Sequence, residues 1–175
     1  AGQGDCVGHS FDHLAQIVHG TKEPEKIFFC FDTQHAFAAG YDLRKEADCK
    51  NVFKEFDQKL SLKNLKAFHL NDALKDMGCR VDRHANLGTG FLGMNVFKYL
   101  VNEPKFKNHP MCLETDPGEE METYRTELAK LRLLQKAYAE WTRLYSEEND
   151  DDPGCHLPGI QRAIGLPEEL ITGAE

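Results

Sequence analysis

The sequence lacks any long apolar run: its longest purely hydrophobic stretch, Ile27 to Phe31, is about five residues. A bilayer-spanning helix needs roughly 20, so no segment reads as transmembrane. The opening "AGQGDCVGHS" has neither the basic start nor the apolar centre of a secretory signal. No CxxC pair occurs, which disfavours a structural zinc knuckle. The six cysteines (Cys6, Cys30, Cys49, Cys79, Cys112, Cys155) are scattered, several within apolar patterns, and are expected to be reduced thiols. Positive charge is also scarce: 21 Lys and Arg stand against 29 Asp and Glu, a formal net charge of −8. That balance argues against a general basic coat for nucleic acid. It does not exclude nucleic acid, because carboxylates that hold divalent cations make the local potential positive.

What is present fits one domain. The 175 residues are 41% hydrophobic and 29% charged, enough for a proper core and with no internal repeat. Ser10 is placed to cap a helix carrying Phe11, Leu14, Ile17 and Val18, ended by Gly20 and Pro24 before a strand from Lys26 to Asp32. A second helix, about Glu46 to Leu60, aligns Cys49, Val52, Phe53, Phe56 and Leu60, and Leu65 to Leu70 reads as the next strand. The loop "GCRVDRHANLGTG" leads to a helix from about Phe91 to Val101 and a short strand, Pro110 to Thr115. A long amphipathic helix follows, with Met121, Tyr124, Leu128, Leu131, Tyr138, Trp141 and Tyr145 on one side. Residues 1–145 therefore form the domain, in the order αβαβαβα, and 146–175 read as an acidic, Pro- and Gly-containing linker and tail. Alternating helices and strands imply an α/β fold with a parallel sheet, open or closed as a barrel. Three strands do not close a barrel.

Function in such folds sits at the carboxyl ends of the strands. The first strand ends in Asp32 with His35 three residues on, the second in His69 followed by Asn71 and Asp72, and the third in Glu114. The loop after the second adds Asp82 and His84, whose D-x-H spacing points both side chains one way if extended. Three histidines and three carboxylates suit zinc, and manganese or iron less well. Each residue also has a plainer reading. A lone Asp at a strand end is commonly a helix cap, a histidine in "AFHL" is commonly a satisfied core residue, and Glu114 can belong to a polar loop. His9, His13, His19, His109 and His156 lie at no strand's carboxyl end and are assigned to the surface or to hydrogen bonding.

"FDTQHAFAAGYDLR", "FHLND", "GCRVDRHANLGTGFLG" and "CLETD" closely resemble, in order, the signature segments of the endonuclease IV family of zinc-dependent apurinic/apyrimidinic endonucleases. The resemblance runs from Ala1 to about Thr115. It implies a TIM barrel of the xylose-isomerase-like kind with three zinc ions at its strand ends. By motif, Asp32, His69 and Glu114 resemble ligands of one zinc, and His35, Asp82 and His84 the whole protein ligand set of a neighbouring one. The implied reaction is hydrolysis of the backbone of double-stranded DNA 5′ to an abasic site by a metal-activated water, with no catalytic side chain beyond the metal ligands. Gln3 and Arg83 are the implied DNA contacts. Gln34 stands where many members have Cys, and Leu74 where Lys is usual.

A TIM barrel takes roughly 250 residues, so the chain is expected to supply the last three βα units of a longer protein, with activity and a monomeric state belonging to the full length. The missing part is expected to carry a glutamate just before Ala1 and two upstream histidines. An intracellular location is expected: cytoplasm in a bacterium, nucleus or mitochondrion in a eukaryote. Two rivals are a degenerate or truncated metal-binding module without turnover and a metal-dependent sugar isomerase of the same fold. For the latter the "VDRHANLGTG" loop would be surplus.

Overall fold

The structure, a computed structural model, describes residues 1–145. The segment read as linker and tail lies outside the described residues. Helix α1 (Phe11–Gly20) starts where the Ser10 hydroxyl accepts the His13 N–H at 3.2 Å. The first strand is shorter than its apolar run suggests. Pro24–Lys26 form a 3-10 turn, and β1 spans Phe29–Asp32. Immediately after it comes a helix that hydrophobic periodicity did not reveal, α2 (Thr33–Ala39), closed by Gly40 at φ 112°. Seven residues rich in alanine carry too little apolar contrast to show a face.

Helix α3 (Glu46–Leu60) and strand β2 (Leu65–Leu70) fall where the pattern places them. Beyond them two-residue strands β3 (Asp72–Ala73) and β4 (His84–Ala85) pair antiparallel. Helix α4 (Asn95–Asn102) starts four residues later than its apolar pattern, because the glycine-rich loop runs through Gly93. Strand β5 (Met111–Leu113) and helix α5 (Glu122–Tyr145) complete the order.

The main sheet is parallel, with strand order β1-β2-β5. Side-chain alternation divides it into two unlike faces. Phe31 and Phe68 enter the core against α3 and the turn after α4, where Phe53 lies 4.8 Å from both Phe31 and Phe106, and Phe68 lies 4.9 Å from Phe106. Each fully buried phenylalanine contributes about 1.5–3 kcal/mol, so this aromatic cluster is the principal fastening of sheet to helices. The opposite face carries Cys30 and Asp32 from β1, Ala67 and His69 from β2, and Cys112 from β5, and Cys30 and Cys112 are exposed. Register then lines up the strand ends: Asp32 pairs with His69, and His69 with Cys112. Glu114, two residues past Cys112, emerges on the same side.

Candidate metal centre

Asp32 ends β1 and caps α2. Its Oδ1 accepts the His35 N–H at 2.9 Å, so the plain reading of this residue as a helix cap is correct for one oxygen. The other oxygen faces the open side of the sheet. Oδ2 lies 3.8 Å from His35 Nδ1 and 3.7 Å from His69 Nδ1, and accepts the Asn71 side-chain N–H at 2.9 Å. Burial pushes the Asp32 carboxyl above the ordinary carboxylate range, opposed first by the His35 backbone N–H. A buried carboxylate of this kind gains from a cation beside it.

Two groups of donor atoms converge around it. In the first, His35 Nε2 lies 3.1 Å from Asp82 Oδ2, His84 Nε2 lies 3.2 Å from Asp82 Oδ1, and the two Nε2 atoms are 3.5 Å apart. Metal–ligand bonds of 2.0–2.2 Å at tetrahedral angles set donor atoms about 3.3–3.6 Å apart; the two imidazole nitrogens stand at that spacing, and Asp82 lies slightly closer, meeting each imidazole with a different carboxylate oxygen. In the second, His69 Nδ1 is 2.9 Å from Glu114 Oε2, and Asn71 reaches that oxygen at 3.3 Å. Single donor atoms of Asp32, His69 and Glu114 all lie within 4.8 Å of one another, as do those of Asp32, His35 and His84. The structure therefore brings together all six residues singled out from the strand ends and from the loop after the second strand.

The neighbours of these groups hold them in place. His84 Nδ1 is 3.2 Å from the Glu114 carbonyl oxygen. A carbonyl accepts and does not donate, so Nδ1 carries the proton and Nε2 offers its lone pair to the first group. Gln3 Oε1 accepts the Asp82 N–H at 2.7 Å, and Arg83 donates to the Asp82 carbonyl at 2.6 Å. Both residues are exposed at the rim. Gln34 is fully buried and donates to the Val81 carbonyl at 2.9 Å, tying the loop that carries Asp82 to α2, which carries His35.

Three polar residues were missed or under-read. Asn71 bridges the two carboxylates of the second group. The fully buried Asp72 accepts five backbone N–H bonds, from Ala73 and Leu92 at Oδ1 and from Gly88, Gly90 and Gly93 at Oδ2, at 2.7–3.2 Å. Glu127 is buried on α5. Its signal was a carboxylate on the apolar stripe, four and seven residues before the buried Leu131 and Leu134. Of the histidines assigned elsewhere, His109 Nε2 donates to the Leu65 carbonyl at 2.9 Å and its ring packs on Phe68 and Phe106, His9 meets the Cys6 carbonyl, and His156 lies outside the described residues.

Residues 1–134 match the model of a family described as xylose isomerase-like TIM barrel. The chain is 46% identical over 134 residues to a probable endonuclease 4 of Chloroflexus aurantiacus, covering 77% of this chain and 47% of that protein. A probable endonuclease 4 of Geobacter sulfurreducens is 45% identical, with 77% and 45% covered. Among solved structures, endonuclease IV from Thermus thermophilus superposes with a TM-score of 0.66 at 34% identity, over 77% of this chain and 47% of that one. The chain thus spans about half the length of the relatives it matches.

Proposed function

The chain belongs to the xylose isomerase-like TIM barrel family, and from its likeness to the endonuclease 4 proteins we propose that it bears zinc ligands of a DNA-repair endonuclease acting at abasic sites. The observation that carries this reading is the clustering of His35, Asp82 and His84, whose imidazole Nε2 atoms are 3.5 Å apart and lie 3.1 and 3.2 Å from the two oxygens of Asp82. Two imidazoles and a carboxylate suit zinc better than manganese or magnesium. The whole protein's reaction would be hydrolysis of the phosphodiester 5′ to an abasic nucleotide in duplex DNA.

In this reading His35, Asp82 and His84 hold one ion, and Asp32, His69 and Glu114 contribute to a second. Bound zinc supplies a nucleophile from water near neutral pH and neutralises charge on the phosphate oxygens. The chain's own residues do the rest. Asp32 faces both groups through one oxygen, Asn71 keeps Asp32 and Glu114 at a fixed separation, and the Glu114 carbonyl holds His84 in the tautomer that presents Nε2. Arg83 and Gln3 stand at the rim, where their donors are proposed to meet the DNA backbone. The loop Asn86–Gly90 offers a low backbone surface beside them. An abasic nucleotide has already lost its pairing, which lowers the cost of taking it out of the stack.

The test measures bound zinc and incision of a duplex containing one abasic site, using the protein expressed from its complete reading frame. Zinc binding with incision supports the proposal, whereas zinc without incision favours a metal-binding module that does not turn over. His84→Ala is expected to lose zinc from the first group and most of the incision rate. Unchanged zinc content and rate in that variant would remove the ligand assignment.

A further inference from the structure

Glu127 lies on α5, outside both donor groups, and is 2% exposed. Its Oε1 accepts the Leu87 N–H at 2.6 Å and the Asn86 side-chain N–H at 3.3 Å, and its Oε2 accepts the Thr115 hydroxyl at 2.5 Å. Thr115 directly follows Glu114, and Asn86 and Leu87 follow His84 by two and three residues. One carboxylate therefore joins the two segments that deliver a donor to each group. Asn86 also donates to the Asp116 carbonyl at 3.2 Å, and the Tyr124 hydroxyl donates to the Thr115 carbonyl at 2.9 Å. The same stretch of backbone carries the Glu114 carbonyl that sets the His84 tautomer.

We infer that Glu127 is a positioning residue for the metal centre: by holding Thr115 and the Asn86–Leu87 turn together, it keeps the Glu114 carbonyl against His84 Nδ1 and so aims His84 Nε2 at Asp82 and His35. This rests on the metal reading above. Core packing alone does not call for it, since α5 buries Leu131, Leu134 and Ala137 without a carboxylate. Bonds to an ionised acceptor are about twice as strong as neutral ones, and hydrogen-bonded partners of ligand histidines typically affect metal affinity 10–100-fold.

The experiment titrates Zn2+ into the protein against a chromophoric chelator and records the visible bands of the Co2+-substituted form, with melting temperature measured alongside. Glu127→Gln keeps the shape of the side chain, and Thr115→Val removes one hydroxyl while leaving the Tyr124 contact. Both are expected to weaken Zn2+ binding at the site that includes His84 about tenfold or more and to alter the Co2+ bands. Leu131→Ala, a cavity on the same helix, is expected to lower the melting temperature and leave the affinity of the folded protein unchanged. The inference is overturned if either polar variant folds and binds like the wild type, or if Leu131→Ala weakens binding as much at equal loss of stability. A wild-type chain that binds no metal overturns the metal reading itself, and this inference with it.

Discussion

Asp32 carries two duties on two oxygens, and they are separable by substitution. Asn retains an acceptor for the His35 N–H, whereas Ala does not. Loss of an N-cap costs about 1 kcal/mol, so Asp32→Ala is expected to lower stability by about that much while Asp32→Asn stays near the wild type. Both are expected to lose metal, because an amide is a poor stand-in for a carboxylate beside two imidazoles. Chemical denaturation and zinc content, measured on the same two variants, check the separation. Cys49 shows burial outweighing the hydrogen bonding that opposes it. Its thiol donates to the Leu43 carbonyl at 3.2 Å, and desolvation, reinforced by Asp48 and Glu46, pushes its pKa from 9.0 up to about 12. The unfolded thiol ionises first, so the native state holds more protons across that window, and stability must fall as pH rises from about 9 towards 12. The slope attributable to one such group is at most about 1.4 kcal/mol per pH unit. Cys49→Ala is expected to flatten the wild-type curve between about pH 9 and 11. An identical slope in the variant would assign the fall to other groups.

The element that most depends on a single residue is the loop Asn86–Gly93, which wraps the Asp72 carboxylate with backbone N–H groups. Gly90 is the point of closest approach. A Cβ there would overlap the Ala73 carbonyl and lie 2.6 Å from Asp72 Oδ1. Gly90→Ala is therefore expected to push the loop off Asp72 and to cost about 2 kcal/mol or more, the penalty of leaving buried polar groups unpaired. The shift in denaturant midpoint measures it. The sequence announced a tight glycine-bearing loop here but not its centre, because Asp72 looked like one more polar residue after a strand. Helix α2 was illegible for the opposite reason. Its alanines fit any surface, and its existence depends on Asp32 capping it and on the neighbouring loop, whose Gly78 and Arg80 N–H groups bond to Phe37 and Ala38 at 3.0 Å.

At the scale of the molecule, the sheet has β1 and β5 as edges and one uncovered face, whereas parallel sheets are ordinarily covered on both. Unpaired strand edges beside exposed apolar groups favour association, and Phe28, next to the β1 edge, is 56% exposed. The chain is expected to sediment as species heavier than a monomer at tens of micromolar. Phe28→Glu, placed where Lys66 now lies over the Phe28 ring at 5.3 Å, is expected to reduce that association. Concentration-independent monomer in sedimentation velocity would show that the open edges are tolerated.

By itself the sequence determined the α/β alternation, the extents of α3 and β2 and the six candidate ligands. These are legible because helix faces and strand ends are local properties, written in residue spacing and in short motifs. Only the tertiary structure decided which residues answer one another across the chain. His84 takes its orientation from a carbonyl 30 residues away, Asn71 spans two carboxylates at the ends of different strands, and Glu127 reaches back from α5 to two loops. The same physics explains the difference. A buried polar group must find a partner wherever the fold puts one, and no spacing along the chain specifies where that is.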